Sequence, residues 1–99
     1  MAKIIWRQKA IDDLNDIWDY TFENWSEKQA DKYYKIIRLT YDGIGENPDI
    51  GKEYDEISKK LLGLKSGKHI IFYQLISDNE IEILRILHER MDLKNRLKE

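Results

Sequence analysis

The chain has 99 residues, with 17 Lys and Arg against 19 Asp and Glu, a formal charge of −2, 41% apolar or aromatic residues and no cysteine. That is one domain's worth, residues 1–99, and a chain so short buries only about two-thirds of its unfolded surface, so three Trp and six Tyr have to build a dense core. Lack of cysteine excludes disulfides, thiolate metal sites and a cysteine nucleophile and favours the cytoplasm, while the apolar stretches are too short to span a bilayer and no signal-peptide pattern opens the chain.

Charge is unevenly placed. Residues 1–57 hold eight cations and thirteen anions, whereas residues 58–99 hold nine and six. An acidic whole argues against an electrostatic clamp on nucleic acid, and no sequence-specific nucleic-acid binding is expected of the chain alone. The basic second half leaves room for a local positive surface.

The run at 3–7, Lys-Ile-Ile-Trp-Arg, is β-branched and aromatic and predicts a strand. The period then changes. Ala10, Ile11, Leu14, Trp18, Phe22 and Trp25 recur at helical spacing, opposite a polar face of Asp12, Asp13, Asp16, Asp19 and Glu23. Acids early in this helix suit its macrodipole. Ser26 followed by Gln29 fits a capping box opening a second helix, whose stripe is Ala30, Tyr33, Tyr34, Ile37, Tyr41 and Ile44. Asn47-Pro48 stops it. So short a connection predicts an antiparallel helical hairpin.

Residues 49–60 read as a polar loop, followed by strands at 61–65, 69–76 and 81–88, with Ser66-Gly67 and Ser77-Asp78-Asn79 as turns. Alternation puts Ile71, Tyr73 and Leu75 on one face of the penultimate strand and Ile70, Phe72 and Ile76 on the other. In the last strand it groups Ile81, Ile83 and Leu87 against Leu84 and Ile86. Both faces are apolar, which calls for cover on each side. The hairpin covers one. A bound partner, or Trp6 with the loop and the tail, covers the other. Residues 91–99 suggest a short helix, too short to persist alone in water. The expected class is α+β, a helical hairpin on a small antiparallel sheet in the order β-α-α-β-β-β.

No phosphate loop, nucleophile elbow or metal-ligand spacing occurs, so no cofactor, metal or catalytic residue is assigned. One constellation stands out. Arg85, His88, Arg90 and Asp92 crowd the end of the last strand, and Lys65, Lys68, His69 and Tyr73 come from the strands before it. Such a set suits either a metal-free RNA-cleaving site or a docking surface for an anionic partner. Arg85, mid-strand, is expected to pair with a helix carboxylate.

The segments Gly67-Lys68-His69-Ile70-Ile71-Phe72-Tyr73 and Ile83-Leu84-Arg85-Ile86-Leu87-His88-Glu89-Arg90-Met91-Asp92 resemble the C-terminal signature of ParE-type toxins of the RelE/ParE superfamily. Ala10–Leu14, Ile17–Thr21 and Glu46-Asn47-Pro48 with Gly51 are similar to that family's first helix and its loop after the second. Leu61–Lys65 departs from the basic-rich strand usual there. The resemblance implies the toxin of a bacterial type II toxin–antitoxin module, wrapped by a ParD-like antitoxin in a hetero-oligomer and acting on DNA gyrase without catalysis of its own. Arg85, His88, Arg90, Met91 and Asp92 are then the target-binding residues, and Trp18, Trp25 and Tyr41 the antitoxin anchors. Removing residues 91–99 is expected to abolish toxicity and leave the fold. The alternative within the superfamily is a ribosome-dependent mRNA endonuclease of RelE type, using Lys65, Lys68, Arg85 and His88, with Tyr73 in place of a tail tyrosine. A module that keeps antitoxin binding without toxicity is a third possibility.

Overall fold

The computed structural model describes residues 2–98; Met1 and Glu99, the outermost residues of the single domain expected, lie outside the described residues. β1 (Lys3–Trp6) leads into α1 (Gln8–Asn24), and two residues, Trp25 and Ser26, turn the chain into α2 (Glu27–Glu46). Ser26 Oγ accepts the Gln29 N–H at 3.1 Å, the N-cap half of the predicted box, while the Ser26 N–H donates to Thr21 O in place of the Gln29 side chain. Asn47 ends α2, and its side chain accepts the Asp49 N–H at the start of a single 3-10 turn, Pro48–Ile50. α1 starts at Gln8, so Asp12 and Asp13 fall in its second turn. Asp12 accepts a bond from the Gln8 amide, while Asp13 turns inward.

Five strands follow the order β1-β5-β4-β3-β2. β2 (Lys52–Glu53), β3 (Leu62–Ser66), β4 (His69–Ser77) and β5 (Glu80–His88) pair antiparallel in sequence order, and β1 joins the far edge parallel to β5. The sheet is thus mixed through β1 alone. β2, hidden inside the predicted loop, is only two residues long and carries no alternation to read.

The face under the hairpin holds the main core: Ala10, Ile37 and Ile44 from the helices against Ile71, Tyr73, Ile81, Ile83 and Ile86. Tyr73 is fully buried; its hydroxyl donates to Pro48 O at 2.7 Å and accepts the Gly51 N–H at 2.9 Å, which pins the loop after α2 to the sheet. A Cβ at Gly51 would run into that hydroxyl, so glycine is required by close approach.

The other face is also covered. Leu61, Ile70, Phe72, Leu84 and Leu87 pack there, under Tyr54 and Ile57 from the loop and Leu93 and Leu97 from the tail. Trp6 sits on the helix side, edge-on to Tyr41. The simple alternation predicted for β5 therefore fails. Phe72 opposes Arg85 and Tyr73 opposes Ile83, which leaves Leu84 as the extra residue of a β-bulge. Beyond the bulge the faces exchange, so Leu87 joins Leu84 on the outer side and Ile86 joins Ile81 and Ile83 under the helices.

The tail forms one turn, α3 (Leu93–Arg96), whose N-cap is Asp92. Because Leu93 and Leu97 belong to the outer cluster, deletion of residues 91–99 would strip cover from the sheet; the expectation that truncation spares the fold is amended accordingly.

Candidate functional site

At the end of the sheet where β4 begins and β5 ends, a groove of about 910 Å³ opens between α1, the start of α2 and the tail. Its floor is Ile17 and Ile86, and Tyr20 and Trp25 stand at the helical end. Lys68, His69, His88, Arg90, Met91 and Arg96 line the strand and tail side, and Asp13 and Asp16 line the α1 side.

Arg85 is held fast. Its Nε and Nη2 donate to Asp13 at 2.8 and 3.0 Å, and Asp13 also accepts the Ile86 N–H at 3.0 Å. Both side chains are nearly buried, 12% exposed for Arg85 and 14% for Asp13. Arg85 Nη1 donates further to Arg96 O at 2.9 Å, tying the tail to the sheet and to α1. The expected pairing with a helix carboxylate is present, and it leaves Arg85 a tether more than an exposed contact.

The two histidines face each other across β4 and β5, in register, with ring centroids 5.2 Å apart and edge to face. Tyr33 on α2 reaches in beside them. Its hydroxyl accepts the Lys68 N–H at 2.9 Å and lies 2.6 Å from His69 Nδ1, with Ser66 O farther away at 3.3 Å. Burial, then the proximity of His88, pushes the His69 imidazole down to about 4 from the usual 6.5. The phenol's single proton has both Ser66 O and His69 Nδ1 within reach. His88 Nδ1 accepts the Arg90 N–H at 3.1 Å, fixing the turn that presents Arg90 and Met91. Burial raises the Tyr33 phenol, so it stays protonated at neutral pH.

Lys65 lies outside the groove's lining and pairs with Glu89 at 3.0 Å; its bond holds the Glu89 carboxyl below the usual carboxylate range. Tyr73 is not with the basic set at all. It is buried in the core and bonded to Pro48 and Gly51, which corrects the expectation that it could stand in as a proton-transfer tyrosine.

Of the residues expected to meet a target, His88, Arg90 and Met91 share this groove and Asp92 caps the tail beside them. Of the expected antitoxin anchors, Trp25 is 75% exposed and lines the same groove. Trp18 lies outside its lining, stacked on Phe22 with its indole N–H 3.4 Å from Asp31. Tyr41 is half-buried against Trp6, its phenol pushed up to about 12 by burial and by a bond with Tyr34, and it lies at the core's margin, outside the groove's lining. Tyr20, Tyr33, Asp16 and Arg96 were not anticipated. Tyr33 alone left a signal, since a tyrosine on an apolar stripe carries a hydroxyl that burial obliges to find a partner. Among the described residues no cluster of His, Cys, Asp or Glu could hold a metal, and no helix is long and apolar enough to cross a membrane.

The fold, a helical hairpin on a mixed sheet, is shared with a solved structure titled "Chromosomal ParDE TA system from P. aeruginosa", at TM-score 0.76 and 21% identity over 89% of this chain and 96% of that one. Sequence comparison carries the matter further. The family described as "ParE toxin of type II toxin-antitoxin system, parDE" matches residues 4–93. Toxin ParE1 of Mycobacterium tuberculosis (strain CDC 1551 / Oshkosh) is 36% identical over 84 residues, covering 85% of this chain and 86% of that protein. Toxin ParE1 of Caulobacter vibrioides (strain ATCC 19089 / CIP 103742 / CB 15) is 31% identical over 90 residues, covering 91% and 92%. The chain belongs to the ParE toxin family of type II toxin–antitoxin systems.

Proposed function

We propose that this toxin acts in the bacterial cytoplasm by direct contact with DNA gyrase, without chemistry of its own, and that a ParD-like antitoxin silences it in a hetero-oligomer. What carries the reading is the disposition of the cations. A nuclease needs cations open to phosphate and a group able to give up a proton near neutral pH. Of the cations such a site would use, Arg85 is engaged by Asp13 and Lys65 by Glu89, leaving Lys68 exposed, and His69 stays uncharged at neutral pH. The exposed set left at the groove mouth, Arg90, Met91 and Asp92 beside a half-buried His88, suits docking. Trp25 is the first antitoxin anchor, with Trp18 at its flank. Because Trp25 shares its groove with His88, Arg90 and Met91, antitoxin and target compete for one surface.

The test is pulse-labelling of DNA and protein synthesis after inducing the toxin alone, together with a supercoiling assay on purified gyrase. DNA synthesis should fall first, and supercoiling should be inhibited. If protein synthesis falls first, the nuclease alternative is correct; if neither falls, the chain binds antitoxin without being toxic.

A further inference from the structure

The helical hairpin has a second face, turned away from the sheet, and its charge is sorted by helix. On α1, Asp12, Asp16, Asp19 and Glu23 recur at i, i+4, i+7 and i+11 on the side opposite the buried Ala10, and all four are exposed. On α2, Lys28, Lys32, Lys35 and Leu39 recur at the same spacing opposite the buried Ile37, and these are exposed as well. The helices run side by side, joined by Trp25 and Ser26 alone and bridged by the Trp18 indole N–H to Asp31. Counted outward from that turn, Glu23 lies level with Lys28, Asp19 with Lys32, Asp16 with Lys35 and Asp12 with Leu39. Yet none of the ion pairs found among the described residues joins the acidic row to the lysine row. Leu39 is 72% exposed, at the level of the exposed Ile11 on α1.

We propose that this face joins a second copy of the chain about a two-fold axis parallel to the helices, so that α1 of each copy lies along α2 of the other. The inference goes beyond the gyrase and antitoxin readings and needs neither. Charge complementarity selects the occupant. A half turn about such an axis keeps every residue at its own level and exchanges the two helices, so each row meets its opposite: Glu23 faces Lys28 of the partner copy, Asp19 its Lys32 and Asp16 its Lys35. Leu39 comes over the partner's α1 beside Ile11. A partner of one charge would be repelled by one of the two rows, whereas a second copy carries both, in the order the face requires. The area sets the strength. At 1.5 Å per residue α1 is about 25 Å long, and with helices about 10 Å apart the face gives on the order of 500 Å² per copy. About 1,000 Å² in total is at the low end for a specific contact, so the dimer is reversible and salt-sensitive.

The test is sedimentation velocity of the full-length chain without antitoxin, over a range of micromolar concentrations at low and high salt. The sedimenting mass should rise from one chain to two with concentration, with a dissociation constant at least about tenfold larger at high salt. Two double variants, their folds checked by circular dichroism, then test the axis. Asp19→Lys/Glu23→Lys sets lysine against lysine, and Lys28→Glu/Lys32→Glu sets acid against acid, so each alone should be monomeric. Both leave the hairpin's ends well served, with bases in the last turn of α1 and acids in the first turn of α2. Mixed in equal amounts, the two variants restore opposite charges at both contacts and should form a heterodimer. A chain that stays monomeric throughout, a dimer that either double variant leaves intact, or a mixture that remains monomeric would each overturn the proposal.

Discussion

Replacing Asp13 by alanine should be among the most damaging single changes in the molecule. Its carboxylate takes two bonds from Arg85 and one from the Ile86 N–H, at a point where both ionic side chains are nearly out of water. Truncation takes from the guanidinium the carboxylate that accepts two of its bonds, for which a loss of up to about 3–5 kcal/mol is typical, and leaves a strand N–H without its acceptor, for which about 1–3 kcal/mol is typical. The two overlap, and the remaining bond from Arg85 to Arg96 O softens the first, so about 4 kcal/mol is expected. Against the roughly 5–15 kcal/mol available to a domain, that lowers the melting temperature by roughly 15–30 °C. Asp13→Asn keeps an oxygen for Ile86 and should lose only about 2–3 kcal/mol. The double replacement Asp13→Leu/Arg85→Met removes both charges together and should cost less than Asp13→Ala alone, since an apolar pair of similar volume tolerates burial. Urea denaturation followed by tryptophan fluorescence, arranged as a double-mutant cycle, measures all of these. Additive single effects, or a loss under about 1 kcal/mol for Asp13→Ala, would refute the view that this pair is a buried, coupled tether.

Other consequences can be measured separately. His69, depressed to about 4 in the fold against an ordinary 6.5, binds its proton more readily when the chain is unfolded. Its contribution is therefore complete above about pH 6.5 and is lost as pH falls toward 4, by at most about 3 kcal/mol and by about 2 once the solvent reaching the ring is allowed for. An NMR titration of the His69 ring with a midpoint near 6.5 would contradict this. Gly67 sits at φ +61°, and a Cβ there would come 2.7 Å from the Tyr33 ring, so Gly67→Ala should lose about 1–3 kcal/mol and detach the β3–β4 turn from α2, seen as faster amide exchange at Lys68. Arg90→Ala combined with Met91→Ala should relieve growth inhibition while moving stability by no more than about 0.5 kcal/mol, because both side chains are exposed. It is a cleaner test of the target contact than truncation, which also removes Leu93 and Leu97 from the outer core.

Much of the fold was legible because its punctuation is local. Ser26 with Gln29 and Asn47 with Pro48 mark the ends of α2 by chemistry that acts within four residues, and they hold in the structure. The pairing of Arg85 with a helix carboxylate was legible in kind, since a mid-strand cation facing a helix needs a partner. Which carboxylate it is depends on how α1 lies across β5, a relation between residues 72 positions apart. The bulge at Leu84 was not legible, because both Leu84 and Arg85 fit a regular strand and only the packing of two cores at once selects the slip. The site shows the same division. His88 and Arg90 were grouped from residue type and position, and Met91 and Trp25 were named as contacts alongside the family resemblance. That they line one groove, and that Tyr41 does not, follows from the tertiary placement of α2 and the tail.

The parallel pairing of β1 with β5 has a consequence for when the protein can become a toxin. β1 must wait, without its sheet partner, until β5 has been made, since Lys3 to Trp6 find their register on Glu80 to Ile83. Contacts of such long sequence separation form late and slowly. The groove is subject to the same delay, because its floor and one side come from β5 and the tail. A chain that stops before β5 therefore has an incomplete sheet and an unfinished groove.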